Sequence, residues 1–316
     1  VLRYLARRFL LMIPVLLGIT FIVFALLAFA PGSFVSLMLS SGVVNPDAIA
    51  RVRDELGVNQ PWIIRYVHYL AALAHGNLGR SIVFDQPVAQ QIAQAFPNTV
   101  ILTVAATVFA LSVAVAAGTV SAIKRNTLLD YAAMIVAVGG VSVPSFWLGL
   151  MLLLAFGLGL HWLPIGGGGA AGGRGGWEFL SHLILPAVTL GAELAALLTR
   201  LIRNTLLDVL SEDYIRTARA KGLAGFRVVS RHALKNALLP VVTTVGVQFG
   251  ALLGGAVIVE TIYSWPGMGL LTVNAIQQRD LPVVQGAVLV FAICFVLVVL
   301  LTDLAYVAID PRVHYQ

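Results

Sequence analysis

The stretch YIRTARAKGLAGFRVVSRHALKNALLP, residues 214–240, gathers charge around a glycine in a chain that is otherwise strongly apolar. Of 316 residues, 59% are hydrophobic and only 11% are charged. An ordinary soluble domain carries about 25% charged residues. A mean hydropathy of +0.94 points the same way, and together these values place the chain in a membrane. Residues 200–235 hold eight basic and three acidic side chains. Burying that set in hydrocarbon would cost on the order of 30 kcal/mol, so the segment lies outside the lipid core, between two spans.

Working outward, six apolar spans are expected at 9–30, 98–122, 131–158, 181–202, 238–259 and 282–308. Each is near the ~20 residues that cross a bilayer, giving an all-α polytopic membrane protein with six transmembrane helices. The first span follows Arg3, Arg7 and Arg8 and is too long for a cleavable signal, so it reads as an uncleaved anchor. Lys and Arg in short loops stay on the cytoplasmic side. With the N-terminus inside, 14 of the 20 basic residues are cytoplasmic, and four of the other six sit in the long segment 31–97, where charge says little. Both termini are therefore expected in the cytoplasm. The domain reading is an N-terminal span plus an extracytoplasmic helical segment over 1–97, then a five-helix core over 98–316 with a cytoplasmic loop at 203–237.

Within the opening stretch the charges are ordered. Ser211 can N-cap a short helix with Glu212 and Asp213 in its first turn, Arg219 and Lys221 in its last, and Gly222 just beyond its end. A second helix begins near Phe226 and carries Arg227, Arg231 and Lys235 as one positive stripe before Pro240 opens the next span. A short helix, a glycine turn and a helix re-entering the membrane make a rigid projection suited to a partner's groove.

Other candidates are fewer. Glu193 sits mid-span in GAELAALLTR and must face the bundle interior or a wet cavity, where it either bonds a neighbouring helix or meets a cationic substrate group on a translocation path. Outside the fifth span, ETIYSWPGMG offers Tyr263, Trp265, Pro266 and Gly267 as an outer gate; its last three named residues form a re-entrant turn, or Trp265 is an interfacial anchor. The segment 31–97 is expected to hold one helix capped by Asn45 and ended by Gly57, and a second with Trp62, Tyr66 and Tyr69 on one face. That aromatic face docks a partner or lies at the lipid boundary. His68 and His75 are too far apart on a helix to share a metal, and no other metal set is read. The glycine run 166–176 satisfies G-x-G-x-x-G at Gly167, Gly169 and Gly172, but between two spans it reads as a flexible external loop rather than a nucleotide site. No Gly-Lys-Ser/Thr exists: Lys124, Lys221 and Lys235 follow Ile, Ala and Leu, so the chain lacks a P-loop. Cys294 is the lone cysteine, set in an apolar run. A carrier acting alone on an ion gradient is the competing class.

At residues 216–222 and 239–240 the chain resembles the cytoplasmic loop of ABC importer permeases, whose pattern is E-A-A-x-x-x-G followed by an apolar residue and Leu-Pro. Arg216 and Thr217 stand in place of Glu-Ala, before Ala218 and Gly222, and the gap from Gly222 to Pro240 is long. Both departures are usual in the oligopeptide, dipeptide and nickel branch. The likeness continues through RRFLLMIPVLLGITFIVFALLAFAPG, GNLGRSI, PNTVILT, SVPSFWLGL, HWLPIGG, RHALKNALLPVVT, ETIYSWPGMGLL, RDLPVVQG and DPRVHY, departing at Ser33 and Phe34, where Asp-Pro is common. The resemblance implies a type I (MetI-like) permease fold in a bacterial cytoplasmic membrane, without catalysis of its own. It further implies a second homologous permease subunit, two ATPase domains binding ATP and Mg, and an extracytoplasmic substrate-binding protein. The cargo implied is dipeptides or oligopeptides, with nickel or haem as the alternative; nucleic acid is not among the partners. It places Tyr214, Ile215, Thr217, Ala218, Arg219, Ala220, Lys221 and Gly222 in the ATPase-coupling helix, and helix geometry with motif position gives the expectation that Tyr214, Ile215 and Ala218 pack on the ATPase while Arg219 and Lys221 are charged contacts.

Overall fold

The computed structural model describes residues 2–29, 60–168 and 176–309, and nearly all of these are helical. In order they are α1 (Leu2–Phe29), α2 (Trp62–Ala74), α3 (Val88–Ile123), α4 (Leu128–Ser142), α5 (Ser145–Leu152) with a π-helical continuation (Leu153–Gly159), and α6 (Gly176–Leu210). There follow α7 (Asp213–Ala220), α8 (Gly225–Arg227) winding on as a π-helix (Val228–Ala233), α9 (Leu234–Ala237), α10 (Leu239–Ile262), α11 (Met268–Gln277) and α12 (Leu281–Ile309). The expected helix over 45–57, the turn at Ser33 and Phe34, and most of the glycine run lie outside the described residues.

Among the described residues, four helices are long and apolar enough to cross a membrane: Val88–Ile123, Gly176–Leu210, Leu239–Ile262 and Leu281–Thr302. The span expected over 131–158 is not one straight helix. It breaks into Leu128–Ser142 and Ser145–Gly159, bent by 108°, and counts as a fifth crossing if the pair is one span. The cause is Pro144, which supplies no N–H and drives the preceding Val143 to extended backbone (φ −86°, ψ 123°). In α1 the apolar stretch Leu10–Leu26 is shorter than the other spans, so the described residues hold four or five crossings of the six expected.

The chain divides into two compact units, 1–97 with 267–296, and 98–266 with 297–316; the sequence reading split at the same Pro97 but left 267–296 in the second part. In the first unit, Val88, Ile92 and Ala95 of α3 pack with Met268, Ala275, Val283, Val284 and Ala287. The aromatic face of α2 is spent within the chain: Phe21 lies 5.9 Å from Trp62, Phe24 lies 5.4 Å from Tyr66, and the Tyr66 hydroxyl donates to the Leu17 carbonyl at 3.1 Å. Before α12, the buried Asp280 carboxylate accepts from Ser81 Oγ and from the backbone N–H of Ile82 at 3.2 Å, fastening the loop ahead of α3.

The second unit is built on α6, 67% of whose apolar stretch is covered by the rest of the chain, against 28–33% for the other three long spans. Small residues make this coverage possible. A Cβ on Gly191 would stand 2.5 Å from the Ala106 carbonyl oxygen, and one on Gly118 would stand 2.9 Å from the Thr199 carbonyl oxygen, so α3 and α6 touch backbone to side. Backbone cannot give way as a flexible side chain can. Gly191→Ala is expected to lower stability by about 1–3 kcal/mol, read as a lower thermal midpoint in detergent; an unchanged midpoint would contradict this packing.

Candidate functional site

The charged projection between α6 and α10 starts where α6 ends. Ser211 does not cap the next helix as expected: its Oγ donates to the Asp208 carbonyl at 2.6 Å, closing α6 instead. The N-cap of α7 is Glu212, in extended backbone, and Asp213 stands in the first turn and Arg219 in the last, which suits the helix dipole. At the other end, Gly222 has φ +76°. Its N–H donates to the Arg219 carbonyl at 2.9 Å and the Leu223 N–H to Ala218 at 3.4 Å, a Schellman turn that requires the left-handed residue glycine supplies.

The packing face of α7 corrects the residue roles. Ile215 is fully buried and Ala218 nearly so, in a small core with Ala122 of α3, Leu206 of α6, and Val228, Ala233 and Ala237 of the returning segment. They seat the helix on its own chain and cannot be contacts with a partner. What remains outside is Tyr214, Arg216, Thr217, Arg219, Ala220, Lys221 and Gly222. Tyr214 is itself tied down, its hydroxyl accepting from Asn236 Nδ2 at 2.8 Å. The return is not a plain α-helix either. Val228 and Ala233 are both buried at a spacing of five, which a π turn tolerates, while Arg227, Arg231 and Lys235 stay exposed as one basic face.

Beside this seat is an ion pair with no local sequence signal. Arg203 grips Asp130 through two bonds, Nε to Oδ1 at 2.7 Å and an Nη to Oδ2 at 2.8 Å, with Asp130 buried. Ser121 Oγ and the Asn126 N–H, at 3.0 Å, complete the carboxylate's partners. The pair joins residues 73 positions apart and locks α4 and the end of α3 to α6 one turn from Leu206.

Glu193 has no hydrogen-bonding helix neighbour among the described residues and stands exposed on α6. From Ala192 to Leu210 the exposed residues are Glu193, Arg200, Asn204 and Asp208, and every one is polar. At 100° per residue they fall within about 80° of arc, a polar stripe along an otherwise covered span.

At the far end of α10 the gate candidates form a covered turn. Trp265 is 1% exposed and its Nε1–H donates to the Asn98 carbonyl at 3.0 Å, which removes the interfacial-anchor alternative. Asn98 Nδ2 in turn donates to Pro266 at 2.8 Å, and Tyr263, also buried, donates to the Gly149 carbonyl at 2.9 Å. Gly267 is buried and leads into α11, a helix the sequence reading did not expect. Glu260, fully buried and accepting from Thr99 Oγ1 at 2.6 Å, was also missed, because it sits one residue past the expected span end. Trp265→Phe removes the N–H that donates to the Asn98 carbonyl together with part of a fully buried ring. A loss of about 1–3 kcal/mol is expected by chemical unfolding in detergent, and no loss would contradict this bond.

Apolar helices long enough to cross a membrane, with one short charged helix between two of them, define a polytopic all-α membrane protein. The chain belongs to the family described as binding-protein-dependent transport system inner membrane component, matched over residues 114–315, with the N-terminal component of the same systems matched over 1–103. It is 42% identical to the dipeptide transport system permease protein DppB of Alkalihalophilus pseudofirmus, over 99% of this chain and all of that one. It is 41% identical to the glutathione transport system permease protein GsiC of Escherichia coli K12, over the full length of both. The fold is similar to a chain of the inward-facing methionine ABC transporter MetNI, with TM-score 0.58 at 15% identity over 70% of this chain and 97% of that one. An amino acid ABC transporter chain gives TM-score 0.52 at 13% identity, over 69% and 94%. The protein is thus a multi-pass inner-membrane permease subunit of an ABC importer, not itself the enzyme.

Proposed function

We propose that this chain carries dipeptides or other short peptides across the cytoplasmic membrane, as one of two homologous permease subunits working with two ATPase domains and an extracytoplasmic binding protein. With six crossings, both termini and α7 lie in the cytoplasm, which the basic loops support. The observation that carries the coupling role is the seat of α7. Ile215 and Ala218 fix it to the ends of α3 and α6 and to the segment leading into α10, so a push on its exposed face is passed to three spans at once. The exposed face, with Arg219 and Lys221 beside Thr217 and Ala220 and with Arg216 held by Asp213 at 3.1 Å, suits a groove bearing acidic side chains.

ATP binding closes the ATPase pair, α7 follows its groove, and the spans tilt toward an outward-open path that receives peptide from the binding protein; hydrolysis resets them. This requires α7 to make different contacts in the two states, since a contact of equal strength in both shifts nothing. Driving a two-state bundle from 1:99 to 99:1 takes about 5.5 kcal/mol of differential binding. The peptide cargo rests on the full-length similarity to dipeptide and glutathione permeases.

The test is uptake of labelled dipeptide into vesicles. Vesicles with the two permeases alone should accumulate none, and adding the ATPases, ATP and the binding protein should start uptake insensitive to a protonophore. Accumulation without ATPases, driven by an ion gradient, would overturn the reading.

A further inference from the structure

The polar stripe on α6 invites a more specific assignment, one that rests on the peptide-import reading above. Glu193 and Arg200 carry opposite charges, both are exposed, and neither has a partner among the described residues. Glu193 lies in the membrane-crossing part of the helix, where a charge facing lipid costs about 2.5–3.5 kcal/mol, so the stripe faces water or a complementary group. The two residues cannot satisfy each other. Seven positions of helix separate them by about 10.5 Å along the axis.

That separation and sign order match a small molecule with a cation at one end and an anion at the other. An extended tripeptide spans at most about 10–11 Å and a dipeptide about 7 Å, both within reach of two long, flexible side chains. We propose that Glu193 and Arg200 form a dipolar station on the translocation path, Glu193 taking the free α-ammonium group and Arg200 the free α-carboxylate of a two- or three-residue peptide. The carboxylate accepts one or two of the three N–H donors of an ammonium, and the guanidinium grips a carboxylate with two parallel bonds. Asn204 and Asp208 continue the stripe one and two turns beyond Arg200, so a peptide leaving the station meets polar surface rather than lipid-like side chains. A peptide capped at either end loses one partner and leaves the opposing charge desolvated and unpaired.

The station is tested on the whole complex of both permeases and the ATPases in nanodiscs, without the binding protein, so that its selectivity does not enter. Binding of tritiated trialanine is followed by scintillation proximity in nucleotide-free and ATP-analogue states, with displacement by unlabelled trialanine, its N-acetyl form and its C-terminal amide. Free trialanine should displace at tenfold or more lower concentration than either capped form. Glu193→Gln should close the gap for the N-acetyl form and leave that for the amide, Arg200→Gln should do the reverse, and Glu193→Asp should keep both gaps. A general loss of shape would shrink both gaps together. Unchanged gaps in the two neutral variants overturn the station, and so does loss of the second permease on purification of Glu193→Gln with gaps unchanged, which would mark Glu193 as an interface residue. Absence of saturable binding in both states, while the complete system still imports trialanine, sinks the station and leaves the peptide reading standing. Absence of import by the complete system sinks both.

Discussion

Replacing Gly222 by alanine is expected to cut peptide uptake tenfold or more while the complex still assembles and still hydrolyses ATP. The effect is confined to the backbone. Nothing lies within 4 Å of where the new Cβ would stand, so the substitution meets no side chain, but φ +76° is a conformation alanine adopts at a cost of about 1–2 kcal/mol. The strain falls on the Schellman turn that ends α7, and its release is a loosened helix end beside Lys221. A loosened end absorbs motion that a rigid one transmits. Gly222→Asn separates this cause from any other, because asparagine tolerates the left-handed region and should keep most of the uptake. Paired ATPase and uptake assays on the two variants decide it: normal uptake with alanine, or equal loss with both, contradicts the account.

The second large effect concerns the ion pair under the projection. Asp130→Ala strands Arg203, whose side chain is 19% exposed, and breaking such a pair costs about 3–5 kcal/mol. The expected result is little complex in the membrane and a strongly lowered unfolding midpoint. Arg203→Lys should rescue poorly, because one ammonium cannot reproduce the two parallel bonds to Oδ1 and Oδ2. The double variant Asp130→Leu with Arg203→Met should recover much of the stability, since no buried charge is left unpaired. If each single variant behaved like the wild type, the pair would be an ornament of the fold and not a brace.

What the sequence made legible was whatever is written locally. The charge around Gly222 located the projection, the left-handed turn followed from a single glycine, and Pro240 stands at the start of α10 as expected. Apolar length found the long spans. It did not find the 108° break, although Pro144 stood in view, because a proline inside a long apolar run can kink a span or split it, and only packing decides which. The direction in which α7 faces was lost for a related reason. In YIRTARAK, Ile215 and Ala218 are three apart and look like a docking stripe, yet that spacing equally makes a seat, and the burial that chooses comes from Ala122, Leu206 and Val228, distant in sequence. Asp130 and Arg203 carried no signal at all, being a pair made by the tertiary fold.

The same limit shaped the reading of Glu193. A lone mid-span carboxylate suggests an internal partner, and the polar stripe becomes visible only when every apolar residue between Glu193 and Asp208 proves to be at least partly covered. The gate turn shows the converse: its aromatics looked like membrane anchors by type, but Trp265 is enclosed within the second unit and bonded to Asn98.

Crosslinking from α7 tests the central claim most directly. With Cys294 changed to serine, the chain is free of cysteine and single cysteines can be placed at Arg216 or Lys221 on the exposed face, and at Ile215 in the seat. In the assembled importer, the first two should crosslink to an ATPase subunit with yields that differ between the nucleotide-free and ATP-bound states, and the third should not. Crosslinks that never reach an ATPase subunit, or that form equally in both states, would contradict a projection that couples nucleotide to transport.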